Sequence, residues 1–237
     1  DCVISLSKMK THALERITGA VKNSYGFIYG FHKAKGHTQY PSADRFARML
    51  IDLNKCVAPK LYVMDGIVAM EGNGPGSGDP VPMNVLLMST DPVALDSVFS
   101  RLVYLKPEMV PTNYHGEKMG LGTWKEEEIT LLTPDGEISM AEAVKKYGNP
   151  AFNVDRTEVR KNIWTRMAGA LNIFQKKPYI EADKCVRCGI CVQSCPVPGK
   201  AVDFRKGKGK PPVYDYRKCI RCFCCQEMCP KKAIKVK

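Results

Sequence analysis

Cys185-Val-Arg-Cys188-Gly-Ile-Cys191-Val-Gln-Ser-Cys195-Pro196 and Cys219-Ile-Arg-Cys222-Phe-Cys-Cys225-Gln-Glu-Met-Cys229-Pro230 decide how this chain is read. Both runs have the spacing C-x2-C-x2-C-x3-C-P. Every cysteine of the second run lies 34 residues after its counterpart in the first, so the two are an internal repeat. Cys224 falls inside the second run, but taking it as the working cysteine would break the spacing that Cys188 and Cys191 set. Cys2 and Cys56 sit among apolar residues and are expected to be small buried hydrophobes.

The repeated pattern resembles the signature of bacterial two-cluster ferredoxins, in which each run wraps three thiolates around one cluster and lends its fourth to the other. That resemblance implies one ligand set of Cys185, Cys188, Cys191 and Cys229, and a second of Cys219, Cys222, Cys225 and Cys195. The expected cofactors are two 4Fe–4S clusters. The expected chemistry is one-electron transfer to or from a redox partner protein. Zinc sites usually pair two C-x2-C knuckles or mix Cys with His, and a disulfide framework suits a short secreted chain, so both fit less well.

The chain has 237 residues and a net charge of +12. Residues 178–237 hold 14 Lys and Arg against 5 Asp and Glu, so most of the excess lies around the cysteines. An oxidised 4Fe–4S cluster with four thiolates carries about −2, so much of this charge offsets the clusters. The loop Arg205-Lys-Gly-Lys-Gly-Lys210 is left over. It is read as a solvated basic loop, with docking of an acidic redox partner as the functional alternative. It lacks interleaved aromatics, so nucleic acid is not expected as a partner. No run of 18 apolar residues exists, so no membrane span is expected. Reduced thiols and oxygen-sensitive clusters point to the cytoplasm.

Upstream, short apolar runs alternate with helical periodicity. Strands are expected at Cys2–Ser7, Leu61–Met64, Val85–Met88 and Ile129–Leu132. Ser42 caps a helix through about Lys55, with Phe46, Met49, Leu50 and Leu53 on one face. Asp91-Pro92 opens another, with Pro at the first helical position. The expected fold class is an α/β head with a mainly parallel sheet, plus a small α+β two-cluster ferredoxin-like domain. The domains are placed at 1–133 for the head, 134–177 for a helical connector that includes a helix at 157–174, and 178–237 for the ferredoxin part.

Polar residues cluster where those strands should end. Lys8, Lys10, His12, Asp65, Glu71 and Asp91 are candidate catalytic residues of the head. Lys22, Asn23, Lys35, His37 and Asn73 are candidate ligand-binding residues beside them. In parallel α/β sheets such strand ends form the ligand crevice, and the lysines suit a small anionic substrate. Asp91 alone also reads as a helix cap. The stretches SKMKTH (7–12), TGAVKN (18–23), HKAKGH (32–37), MDGIVAMEGNGP (64–75) and STDPVALD (89–96) together resemble the family known as domain of unknown function 362. The resemblance covers roughly residues 1–132 and then the ferredoxin part. It implies an iron–sulfur redox protein with a fused ferredoxin module, and supplies no substrate. It also implies a further α/β segment before the first motif, so the head is expected to be N-terminally truncated. Two other readings compete with a plain electron carrier. One is a reductase whose head is fed by the clusters. The other is a cluster-bearing scaffold or sensor.

Overall fold

The computed structural model of the chain describes residues 2–29, 33, 36, 39–40, 42–76, 78–158 and 177–236. Two compact units are present, residues 1–155 and 156–237. The helix expected at 157–174 falls almost wholly outside the described residues.

The head is built on a four-stranded sheet. Its strands are β1 (Ile4–His12), β2 (Arg16–Thr18), β3 (Leu61–Glu71) and β4 (Asp79–Ser89), in the spatial order β2-β1-β3-β4. Only β1 and β3 run parallel; β1–β2 and β3–β4 are antiparallel. The sheet is therefore mixed and mostly antiparallel, which corrects the expectation of a mainly parallel one. The cause lies in β3. Asp65 and Gly66 do not end the strand, which continues to Glu71, and the following glycine-rich turn folds it straight back so that Glu71 pairs with Asp79. A parallel neighbour would have needed a crossover of a dozen residues or more, and there is no room for one.

Helices α1 (Ala20–Asn23) and α3 (Pro92–Leu102) pack on this sheet, and α2 (Ala43–Val57) and α4 (Pro111–Lys118) pack against them and each other. The Ser42 hydroxyl accepts from the Arg45 N–H at the start of α2, as read from the sequence. Phe46, Leu50 and Ile51 of α2 join Val21, Tyr25 and Val93 in one apolar cluster. Phe99 and Leu102 of α3 close on Met64 and Val85 of the sheet in another. Beyond the small hairpin β5–β6 (Leu131–Thr133 and Gly136–Ile138), helix α5 (Met140–Tyr147) and the following segment return to the second cluster through Met140, Phe152 and Val154. Residues 134–155, read from the sequence as the start of a connector, thus pack as part of the head unit.

The inner face of β1 carries Ser5 and Ser7, while Ile4 and Leu6 point outward. Leu86 and Met88 of β4 are exposed as well. Small serines on the inner face let α1 approach: Asn23 Nδ2 donates to Ser5 Oγ and to the Leu6 carbonyl, at 3.0 and 2.9 Å.

The second unit repeats a short plan twice. Strand β7 (Pro178–Ile180) pairs antiparallel with β10 (Ile234–Val236), and β8 (Val202–Asp203) pairs with β9 (Val213–Tyr214). One helical turn follows the second cysteine of each run, α6 (Ile190–Gln193) and α7 (Cys224–Glu227). The backbone obeys the 34-residue period too. Arg187 and Arg221 are both left-handed, at φ 59° and 56°, and so are Gly189 and Phe223, at 79° and 59°. These left-handed residues bend each run into a tight loop that turns its cysteines inward.

Candidate metal centres

Each cysteine run curls around a cavity. The first cavity is lined by Cys185, Cys188 and Cys191 of the first run and by Cys229 of the second. The second is lined by Cys219, Cys222 and Cys225 of the second run and by Cys195 of the first. The rest of each wall is largely apolar. Cys224 lines neither cavity. Among the described residues, no three His, Cys, Asp or Glu side chains are grouped to hold a single ion. Four thiols set around each cavity fit an iron–sulfur group.

The surroundings suit thiolates bound to metal. The fourth cysteine of each run accepts a backbone N–H on sulfur: Ala201 N to Cys195 Sγ and Ala233 N to Cys229 Sγ, both at 3.3 Å. The two turns differ in length yet deliver the same contact. Burial pushes the Cys191 thiol up to about 11, so metal must displace its proton on binding. Burial likewise raises Cys225 and Cys219, although Arg221 pulls Cys219 back down. The Cys222 thiol is lowered first by its hydrogen bond with Cys224, which is itself raised by that bond. Cys2 and Cys56 are exposed, contrary to the expectation that they are buried. Cys56 falls on the outer side of the last turn of α2.

In the head, the candidate residues do not share one sheet edge. Lys8 and Asp65 are mid-strand neighbours in the parallel β1–β3 register and form an ion pair at 2.6 Å. The Lys8 ammonium holds the Asp65 carboxyl below its usual range. Lys10 lies further along β1, half-buried, opposite Met70. His12 is buried at the end of β1, where its Nδ1 accepts from the N–H groups of Leu14 and Glu15. Glu71, at the far end of β3, accepts the Asn153 N–H at 2.7 Å and so clips the segment after α5 to the sheet. Asn73 follows in the turn. Because β4 runs antiparallel to β3, Asp91 comes out near the start of β3, away from Glu71. There its carboxylate caps α3 through the Val93 and Ala94 N–H groups and takes a third hydrogen bond from Thr123 N. Lys22 lies over the Tyr25 ring at 5.9 Å, and Asn23 is tied to β1 as described. Lys35 and His37 lie outside the described residues.

Two buried carboxyls escaped the sequence reading. Asp96 of α3 accepts from Ala20 N at 2.6 Å and Val21 N at 3.1 Å, and burial pushes its carboxyl up to about 7. Glu15, in the turn after His12, is fully buried, and neither of its oxygens has a hydrogen-bond partner among the described residues. Burial holds it well above the usual carboxylate range, against the pull of Lys22. Asp96 was visible as the last residue of STDPVALD, but one acidic residue on an apolar helix carries no mark of its burial. Glu15 stood in no motif at all.

Comparison with known proteins agrees with this division. Residues 1–101 match the family described as "Domain of unknown function (DUF362)", and residues 177–230 match a "4Fe-4S dicluster domain". The chain is 43% identical over 122 residues to "Thylakoid-associated protein sll1697" of Synechocystis sp., a match covering 51% of this chain and 38% of that relative. The chain thus aligns with well under half of the relative's length. No solved structure matches it. No described helix is long and apolar enough to cross a membrane.

Proposed function

We propose, for a chain that joins a DUF362 segment to a 4Fe–4S dicluster domain, that it passes single electrons through two 4Fe–4S clusters to or from a redox partner protein. The observation that carries this reading is the pair of cavities, each lined by three cysteines of one run and the fourth of the other. When bound, the clusters supply one-electron chemistry. The protein supplies thiolates, N–H donors to sulfur and largely apolar walls, all of which tune potential. Residues 205–210 are exposed throughout and offer a basic docking surface to an acidic partner. Reduced thiols and clusters of this kind favour the cytoplasm as the working compartment. Anaerobic reconstitution of the whole chain should load about eight irons and eight sulfides, from two clusters of four. Four irons, or tightly held zinc, would overturn the reading.

A second reading, a reductase, has the head bind a small anion that the clusters reduce. Half-buried Lys10 favours it, having no charged partner among the described residues, whereas Lys8 is already neutralised by Asp65. Lys10→Ala protein should keep its iron and its melting temperature but lose calorimetric binding of phosphate or a dicarboxylate. Unchanged anion binding, or none by the parent chain, removes this reading and leaves the carrier.

A further inference from the structure

The 34-residue repeat makes each cavity a control for the other. Many wall residues correspond at that period: Cys185 with Cys219, Cys188 with Cys222, Cys229 with Cys195. The fourth cysteines are matched, each accepting one backbone N–H at 3.3 Å. One wall difference places a polar hydrogen against a cysteine sulfur. Ile180 lines the first cavity, and its counterpart Tyr214 lines the second. The Tyr214 hydroxyl donates to Cys225 Sγ at 3.1 Å. An isoleucine has no polar hydrogen to offer, so the first cavity lacks this bond.

The side chain that carries the hydroxyl is held in place by its neighbours. Tyr214 pairs in β9 with Val202 of β8. Its ring stacks on Tyr216, with centroids 5.6 Å apart and planes 15° from parallel. The Tyr216 hydroxyl in turn donates to the Pro178 carbonyl at 2.9 Å, which fixes the stacking partner. Cys224, in the place of Ile190, adds a second polar side chain beside the same run through its bond to Cys222.

We infer that Tyr214 is a potential-setting residue, whose hydroxyl makes the cluster of Cys195, Cys219, Cys222 and Cys225 easier to reduce than it would be with the Ile180 environment. The physics is direct. Reduction adds negative charge that spreads onto the thiolate sulfurs. A hydrogen bond to one of those sulfurs stabilises the reduced form more than the oxidised one, and so raises the potential. The two clusters would then be inequivalent by design of the wall and not only by exposure, and an electron is biased toward the Tyr214 side.

This inference rests on the eight cysteines holding two clusters, and the test separates the two claims. Parent, Tyr214→Phe and Ile180→Tyr proteins are reconstituted anaerobically, and iron and sulfide are counted before a redox titration followed by electron paramagnetic resonance. Tyr214→Phe should leave about eight irons. It should lower one of the two reduction steps by roughly tenfold in its equilibrium constant, about 59 mV for one electron. Ile180→Tyr should leave that step alone and raise the other. Full iron with both steps unmoved in both variants overturns the role of Tyr214 while the clusters stand. A parent chain that never holds two clusters overturns both claims. If Tyr214→Phe loses iron, Ile180→Tyr decides alone: a raised step supports the inference, and an unchanged pair of steps ends it.

Discussion

Cys195→Ala protein should lose about half of its iron, and the iron it loses should be that of the cluster built by the other run. The reason is the lining of the second cavity, where Cys195 stands with Cys219, Cys222 and Cys225. A pairwise test shows which cluster is hit without any spectroscopic assignment. Cys195→Ala and Cys219→Ala should each remove about four irons, and the double variant should remove no more than either alone. Two residues serving different clusters would instead add, leaving almost none. Cys224→Ala should keep both clusters, since Cys224 touches neither cavity. A double variant stripped of nearly all iron would overturn the crossed arrangement.

Gly19→Ala should be among the most damaging single changes in the head. Gly19 precedes α1, and its backbone runs against Asp96 of α3 so closely that an added Cβ would fall on the carboxylate. That carboxylate cannot retreat without releasing the Ala20 and Val21 N–H groups, which have it as their acceptor. The alternatives are a steric clash or two buried donors left unpaired, either worth about 3 kcal/mol or more. Gly26 gives the control. A Cβ there meets nothing within 4 Å, so Gly26→Ala should change stability by no more than about 0.5 kcal/mol. Thermal or denaturant unfolding of the full chain measures both. A Gly19→Ala protein as stable as the parent would mean that Asp96 does not hold α1 in the way the hydrogen bonds indicate.

The cysteine sites were legible because spacing along the chain is itself the geometry. Three thiols separated by two residues each can only turn toward one point, and the repeat supplied the second point. The caps were legible for a similar reason, since Ser42 and Asp91 act within three residues of themselves. Strand direction was not. Alternation tells which side chains share a face, but it is blind to whether the neighbouring strand runs up or down. Polar Lys8, Lys10 and Asp65 interrupted the apolar runs and made β1 and β3 look shorter than they are, which hid the β3–β4 hairpin. With the hairpin hidden, the sequence alone puts Asp91 on the same edge as Glu71, whereas the two belong to opposite ends of β3. Glu15 was beyond reach for another reason: burial of a turn depends on what packs over it, which no local pattern records.

The exchange of fourth cysteines between runs also bears on how the protein is made. Under that arrangement, no half of the module is a finished unit. The first cavity has only three of its thiols until residue 229 has been synthesised, and the second must wait for residue 225 although Cys195 emerges long before. Iron delivered to a nascent chain would meet open, three-thiol sites that release it or oxidise. Insertion of two such clusters would therefore follow the synthesis of both runs, as one event that locks them together. A ribosome stalled between the two runs would leave a polypeptide that no iron supply can mature.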